Sequence, residues 1–135
     1  MLLLTRDDRL ARDVARVCVE RGHQVSRIEA VADLHLALTA PERPDALLFD
    51  TGESLDYGAQ TAGTVALIHP EVAIVLAADG VESRSKNGFR LVDRLRAGER
   101  FVDELELACV GIPPSAEEWF GIQGGGAVVH PLPVR

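Results

Sequence analysis

A carboxylate at the end of an apolar run is the feature of this chain best placed to do chemistry. Pro44-Asp45-Ala46-Leu47-Leu48-Phe49-Asp50 delivers Asp50 to the point where a buried strand would give way to the turn Thr51-Gly52. A carboxylate there can attack phosphorus as a nucleophile, provided that more acids hold a divalent cation to neutralise the incoming phosphoryl group. Two other segments follow apolar runs in the same way: Thr5-Arg6-Asp7-Asp8 after Met1 to Leu4, and Ala77-Ala78-Asp79-Gly80 at the end of the run from Val72. In an open parallel sheet, ligands collect beyond the carboxyl ends of the strands, so these three segments mark the place of the site.

The elements that must hold them in place read as alternating strands and helices. Met1 to Leu4 is strand-like, and Leu10, Val14, Val17 and Cys18 recur at helical spacing until Gly22. Gln24 to Ile28 alternates as a short strand, and Val31, Leu34 and Leu38 form a helical face ended by Pro41 to Pro44. Ala46 to Phe49 is a buried strand, Ala62, Val65, Ala66 and Ile68 predict a helix, and Val72 to Ala78 is the most hydrophobic strand. Val81 to Gly88 predicts a loop or a single turn, Phe89 to Leu95 a last strand, and Glu99 to Val110 a closing helix. Continuous apolar strands alternating with helices indicate a parallel sheet covered on both faces, a doubly wound α/β fold.

Residues 1–110 form one domain in this reading, and residues 111–135 a Gly/Pro-rich extension. The extension carries Pro113-Pro114, a capping-box spacing at Ser115 and Glu118, the neighbours Trp119 and Phe120, and three glycines at 124–126. Trp119 and Phe120 either cover one end of the core or serve as a docking or dimerisation segment.

The order and spacing of these elements, Gly22 closing the first helix, and the run from Pro44 to Asp50 resemble the receiver domain of response regulators over roughly Met1 to Val110. That resemblance implies a flavodoxin-like, five-stranded parallel sheet with Asp50 as the phosphoacceptor equivalent. It also exposes departures from the pattern. Family spacing places the magnesium-holding acidic pair at Thr5 and Arg6, with Asp7 next and Asp8 at the start of the helix; acids there also complement the helix dipole. No cofactor is expected, with magnesium to be held only if a slip of register lets Asp7 and Asp50 form a residual site. The family's hydroxyl switch falls on Leu76 or Ala77, and its lysine near Asp93 or Arg94. Lys86, the only lysine among fourteen Lys and Arg, lies upstream. Arg94 can substitute electrostatically, and Arg6 is a second candidate for a fixed cation beside Asp50, unless it points into solvent.

Such a degenerate, pseudo-receiver-like chain is expected to act in signalling through protein contacts, without phosphorylation of Asp50 and without enzymatic activity. A working phosphoacceptor is the alternative, and a small-ligand-binding or enzymatic α/β domain the third. Asp50-Thr51-Gly52 also looks like the aspartic-protease triplet, but that family is built almost wholly from strands. A phosphatase would want an acid where Gly52 stands, and a dinucleotide-binding turn would want glycines where Thr5 to Asp8 stand.

Composition narrows the partners. A net charge of −7 and 4% aromatic residues argue against nucleic acid, and no apolar run approaches the roughly 20 residues of a membrane span, so a cytoplasmic protein is expected. The partner is an unidentified protein or a second copy, the latter through the mixed charges between Arg90 and Glu106 unless those form a solvated face. His23, His35, His69 and His130 share no metal-ligand spacing and read as surface or loop residues. Cys18 and Cys109 are expected as reduced core thiols, close together but unbridged.

Overall fold

The computed structural model describes residues 1–52, 54–80, 85–94 and 99–109. Its sheet is built from β1 (Leu2–Leu4), β2 (Ser26–Ile28), β3 (Ala46–Asp50), β4 (Ala73–Ala78), β5 (Ser85–Lys86) and β6 (Phe89–Asp93), in the order β2-β1-β3-β4-β6-β5. The first five strands in that order run parallel, and β5 pairs antiparallel with β6 at the edge.

The helices are α1 (Asp8–Glu20), α2 (Leu34–Leu38), α3 (Leu55–Ile68) and α4 (Glu99–Cys109), with a 3-10 turn at Val31–Asp33 leading into α2. Asp7 starts α1 by accepting the N–H groups of Arg9 and Leu10, and Gly22, at φ +79°, takes the left-handed turn beyond its end. α1 and α4 cover one face of the sheet, where Leu10, Val14, Val17, Phe101 and Leu105 pack on Leu3, Leu48, Val75 and Val92. α2 and α3 cover the other, on Leu47, Phe49, Ile74, Leu76 and Leu91. Because side chains alternate along a strand, two separate apolar layers result, and the central strands β1, β3 and β4 are apolar on both faces.

The five parallel strands agree with the doubly wound expectation; the sixth strand is a correction. Asn87 and Gly88, at φ +54° and +86°, form a two-residue hairpin turn that folds Ser85–Lys86 back on β6. Asparagine and glycine tolerate positive φ, so the pair specifies a hairpin where a loop was expected. Residues 81–84 of that expected loop lie outside the described residues, as does the extension with Trp119 and Phe120.

α3 starts at Leu55, seven residues before the predicted face, because Ser54 caps it by accepting the N–H of Tyr57. Its Gly58 sits directly against the turn after β3: a Cβ there would lie 2.5 Å from Thr51 Cγ2 and 2.7 Å from Thr51 Cβ. Gly58→Ala is therefore expected to destabilise the protein by about 1–3 kcal/mol despite alanine's better helix propensity. Gly63→Ala, with nothing within 4 Å, should stabilise by about 0.5–1 kcal/mol. Urea-unfolding midpoints check both.

Several charges expected on an outer face are engaged inside the chain. Arg90 and Glu104 are buried and paired at 3.1 Å between β6 and α4, because Arg90 points to the face of the sheet that α1 and α4 cover. Arg21 holds Asp103 at 2.6 Å and Glu106 at 3.0 Å, joining α1 to α4. His69 is buried rather than on the surface, since it closes α3 against the core. Both cysteines are free; Cys18 is buried against Met1, its Sγ 3.7 Å from the Met1 Sδ, while Cys109 is exposed at the end of α4 rather than in the core. Among the described residues, no helix is long and apolar enough to cross a membrane.

Candidate functional site

β3 carries Asp50 to the carboxyl edge of the sheet, between Thr5 at the end of β1 and Arg94 just past β6. The Asp50 side chain is only 4% exposed, and both its oxygens are occupied. Thr5 Oγ1 donates to Oδ2 at 2.6 Å, Arg94 Nη2 donates to the same oxygen at 3.1 Å, and the N–H of Gly52 donates to Oδ1 at 3.1 Å. Arg94 Nε stands 2.8 Å from Oδ1 without the alignment of a hydrogen bond, which makes that contact purely ionic. The Thr5 hydroxyl in turn accepts the N–H of Asp7 at 3.0 Å, so its proton is directed at Asp50.

Arg94 gathers three carboxylates from three chain segments. Nη2 donates to Asp7 Oδ2 at 3.1 Å, and Nη1 lies 3.3 and 3.4 Å from the two oxygens of Asp79. Burial works against the charge on Arg94, but Asp50, Asp79 and Asp7 outweigh it and hold its pKa above the ordinary value. Asp7 is held below the ordinary 3.8 first by the N–H of Leu10, against the opposing effect of burial, with Arg9 and Arg94 adding to the lowering.

The same nitrogen, Arg94 Nη2, lies 3.1 Å from Asp7 Oδ2 and 3.1 Å from Asp50 Oδ2. A cation shared by those two acids would need the space that this nitrogen fills. Magnesium also wants near-octahedral oxygen coordination at about 2.0–2.1 Å. Thr5 brings a neutral hydroxyl, already hydrogen-bonded, where a second strand-end acid would be required. The residues present therefore do not fit magnesium. Among the described residues, no group of three or more His, Cys, Asp or Glu is arranged to hold a metal ion.

The structure thus brings Thr5, Asp7, Asp50 and Arg94 together and leaves other candidates apart. Arg6 is exposed on the rim of a cleft of about 410 Å³ and is not the cation beside Asp50; Thr5 turns inward to Asp50, and the next residue along the backbone turns out. Asp8, the first residue of α1, pairs with Arg27 at 2.9 Å. Leu76 and Ala77 are buried in β4 beside Phe49 and Asp50, and Ala77 offers only its carbonyl, which accepts the Thr51 N–H at 2.9 Å and the Thr51 hydroxyl at 2.8 Å. Lys86 reaches Asp56 at the start of α3, at 2.9 Å. Asp79 lies in the strand-end segment Ala77 to Gly80 that the sequence points to, but it has no role in that reading. Its position one residue past the most hydrophobic strand was the available signal.

With a parallel β2-β1-β3-β4-β6 core and an acid at the end of the central strand, solved structures supply the comparison. The receiver domain of NtrX from Brucella abortus matches at 19% identity over 82% of this chain and 99% of that one, with a TM-score of 0.61. The fold is that of a response-regulator receiver domain. The N-terminal domain of a response regulator/sensory box/GGDEF 3-domain protein from Carboxydothermus hydrogenoformans is similar at 21% identity, covering 81% of this chain and 92% of that one, with a TM-score of 0.61. NtrX from Brucella abortus in complex with ADP matches at 14% identity and a TM-score of 0.66, over 90% of this chain but only 28% of its own. The receiver fold described here thus spans under a third of that protein. No protein-family model and no curated protein sequence matches the chain.

Proposed function

We propose that this chain is a receiver-like signalling module that works through protein contacts, with Asp50 withheld from phosphoryl transfer because Arg94 stands where the family's metal would be. The observation that supports this most is Arg94 Nη2 placed equally, at 3.1 Å, from Asp7 and Asp50. A phosphoacceptor needs a carboxylate oxygen free to attack and a cation that can bind the incoming phosphoryl oxygens at the same time. Here Asp50 Oδ2 receives two hydrogen bonds, and the guanidinium is already shared among three acids. An arginine tethered by its own chain neutralises the site permanently, so the resting state has no ligand to gain or lose. On this reading the module is not an enzyme, and it presents one conformation to an unidentified protein partner or a second copy.

The test is incubation with acetyl phosphate and millimolar magnesium, followed by intact-mass measurement, with calorimetric titration of magnesium alongside. The expected result is no phosphoryl adduct and no magnesium binding at millimolar affinity or tighter. An adduct that disappears in Asp50→Asn would establish the phosphoacceptor alternative instead.

A further inference from the structure

α3 has a single charged residue, Asp56, in the fourteen residues Leu55–Ile68. A helix so poor in charge is usually covered on all sides. Here the sheet covers one side only: Leu67 is 85% exposed, Tyr57 60% and Ile68 59%, and Leu36 on the neighbouring α2 is 74% exposed. Because α2 is only five residues long, a groove of about 330 Å³ opens between the two helices, lined by Leu34, Leu38, Tyr57, Thr64, Ile68 and His69 among others. The hydroxyls of Thr61 and Thr64 are turned back onto the carbonyls of Tyr57 and Gln60, so the polar groups left in the wall are the Tyr57 hydroxyl and the rings of His35 and His69, beside an otherwise aliphatic lining.

The chain itself contains a matching occupant. α4 ends at Cys109 in a cleft shared with Pro70, Glu71 and Val72, and Pro70 directly follows His69, which lines the groove. The polypeptide therefore leaves α4 near the C-terminal end of α3, where Ile68 and His69 line the groove. Residues 110–135 carry only Glu117, Glu118 and Arg135 as charges, and include Ile112, Trp119 and Phe120. Trp119 comes ten residues after Cys109 (119 − 109), a reach of up to about 33 Å, against about 21 Å for the whole length of α3.

We propose that the segment bearing Trp119 and Phe120 docks in the groove between α2 and α3 of its own chain. This goes beyond the reading of Asp50 and stands independently of it. Trp119 is the only tryptophan and Tyr57, in the groove wall, the only tyrosine, so the full-length chain carries its own reporter pair. Fluorescence of the native protein should show Trp119 emission shifted to the blue of free tryptophan in water. Excitation of Tyr57 should produce reduced tyrosine emission and sensitised Trp119 emission. Ile68→Glu and Thr64→Arg, both at exposed positions, should each return the two signals toward those of a tyrosine and tryptophan mixture, with far-UV circular dichroism unchanged. Should Ile68→Glu lose its circular dichroism, Thr64→Arg decides. Water-like Trp119 emission in the native protein would overturn the proposal, as would a blue shift indifferent to both substitutions. So would signals that fade on dilution, since these would assign the groove to a second copy.

Discussion

Arg94→Met is expected to destabilise the protein by about 2–4 kcal/mol, the cost of leaving a buried carboxylate without its cation. The lower half of that range is favoured by the arginine's own exposure of 20% and by the cleft that Asp50 lines, although Asp50 itself is only 4% exposed. Methionine keeps most of the stem's packing, so the loss reports on charge rather than volume. One further readout, the acid limb of stability, separates this from a general loss of structure. Asp7 has its folded pKa below 3.8, so its stabilisation is present above that value and is lost as pH falls through the folded pKa. Arg94 supplies part of the lowering, and the variant should therefore lose less stability on acidification than the wild type does. Urea titrations at neutral and acid pH measure this, and a variant as stable as the parent at neutral pH would remove the internal cation from the account.

How much of this site the sequence discloses depends on which residues are asked. Asp50 is legible because a carboxylate closing an apolar run adds nothing to the packing of the strand it ends, and the parallel core is legible because strands buried on both faces have no polar alternation to hide them. The choice between Arg6 and Arg94 is not legible. Both are arginines next to strand ends, and what separates them is the pairing of β6 with β4, Ala78 opposite Asp93, which brings the residue after Asp93 out beside Asp79 and Asp50. That register is a long-range fact. β5 escapes periodicity for a different reason: two residues cannot show an alternation, and only the Asn87-Gly88 turn betrays it. The early start of α3 likewise rests on one capping side chain, Ser54, ahead of a helix whose first turns lack a clear apolar stripe. Arg90 and Glu104 look like surface charges for the plainest reason, that charges usually are.

That last pair carries the second large effect. Arg90→Met is expected to cost about 3–5 kcal/mol, because Glu104 is left as a carboxylate in the layer between β6 and α4 with its cation gone. The side chains are 3% and 9% exposed, so water can restore little of what the guanidinium provides. The double variant Arg90→Met/Glu104→Leu should recover most of that loss, since an apolar pair of similar volume carries no desolvation penalty. A double-mutant cycle in urea then gives a coupling energy of the same order as the single loss. If the double variant is as unstable as Arg90→Met, the arginine acts through the packing of its stem and the pairing is incidental. If it recovers, the ion pair contributes little net stability but ties α4 to β6 in one seating. The same helix packs on β3 and β6, the strands that lead to Asp50 and Arg94, so its seating bears on the spacing of the site. Arg90→Met should accordingly loosen the Arg94 latch as well, and hydrogen exchange at the Gly52 N–H, which donates to Asp50, should quicken in the single variant and return toward the parent rate in the double.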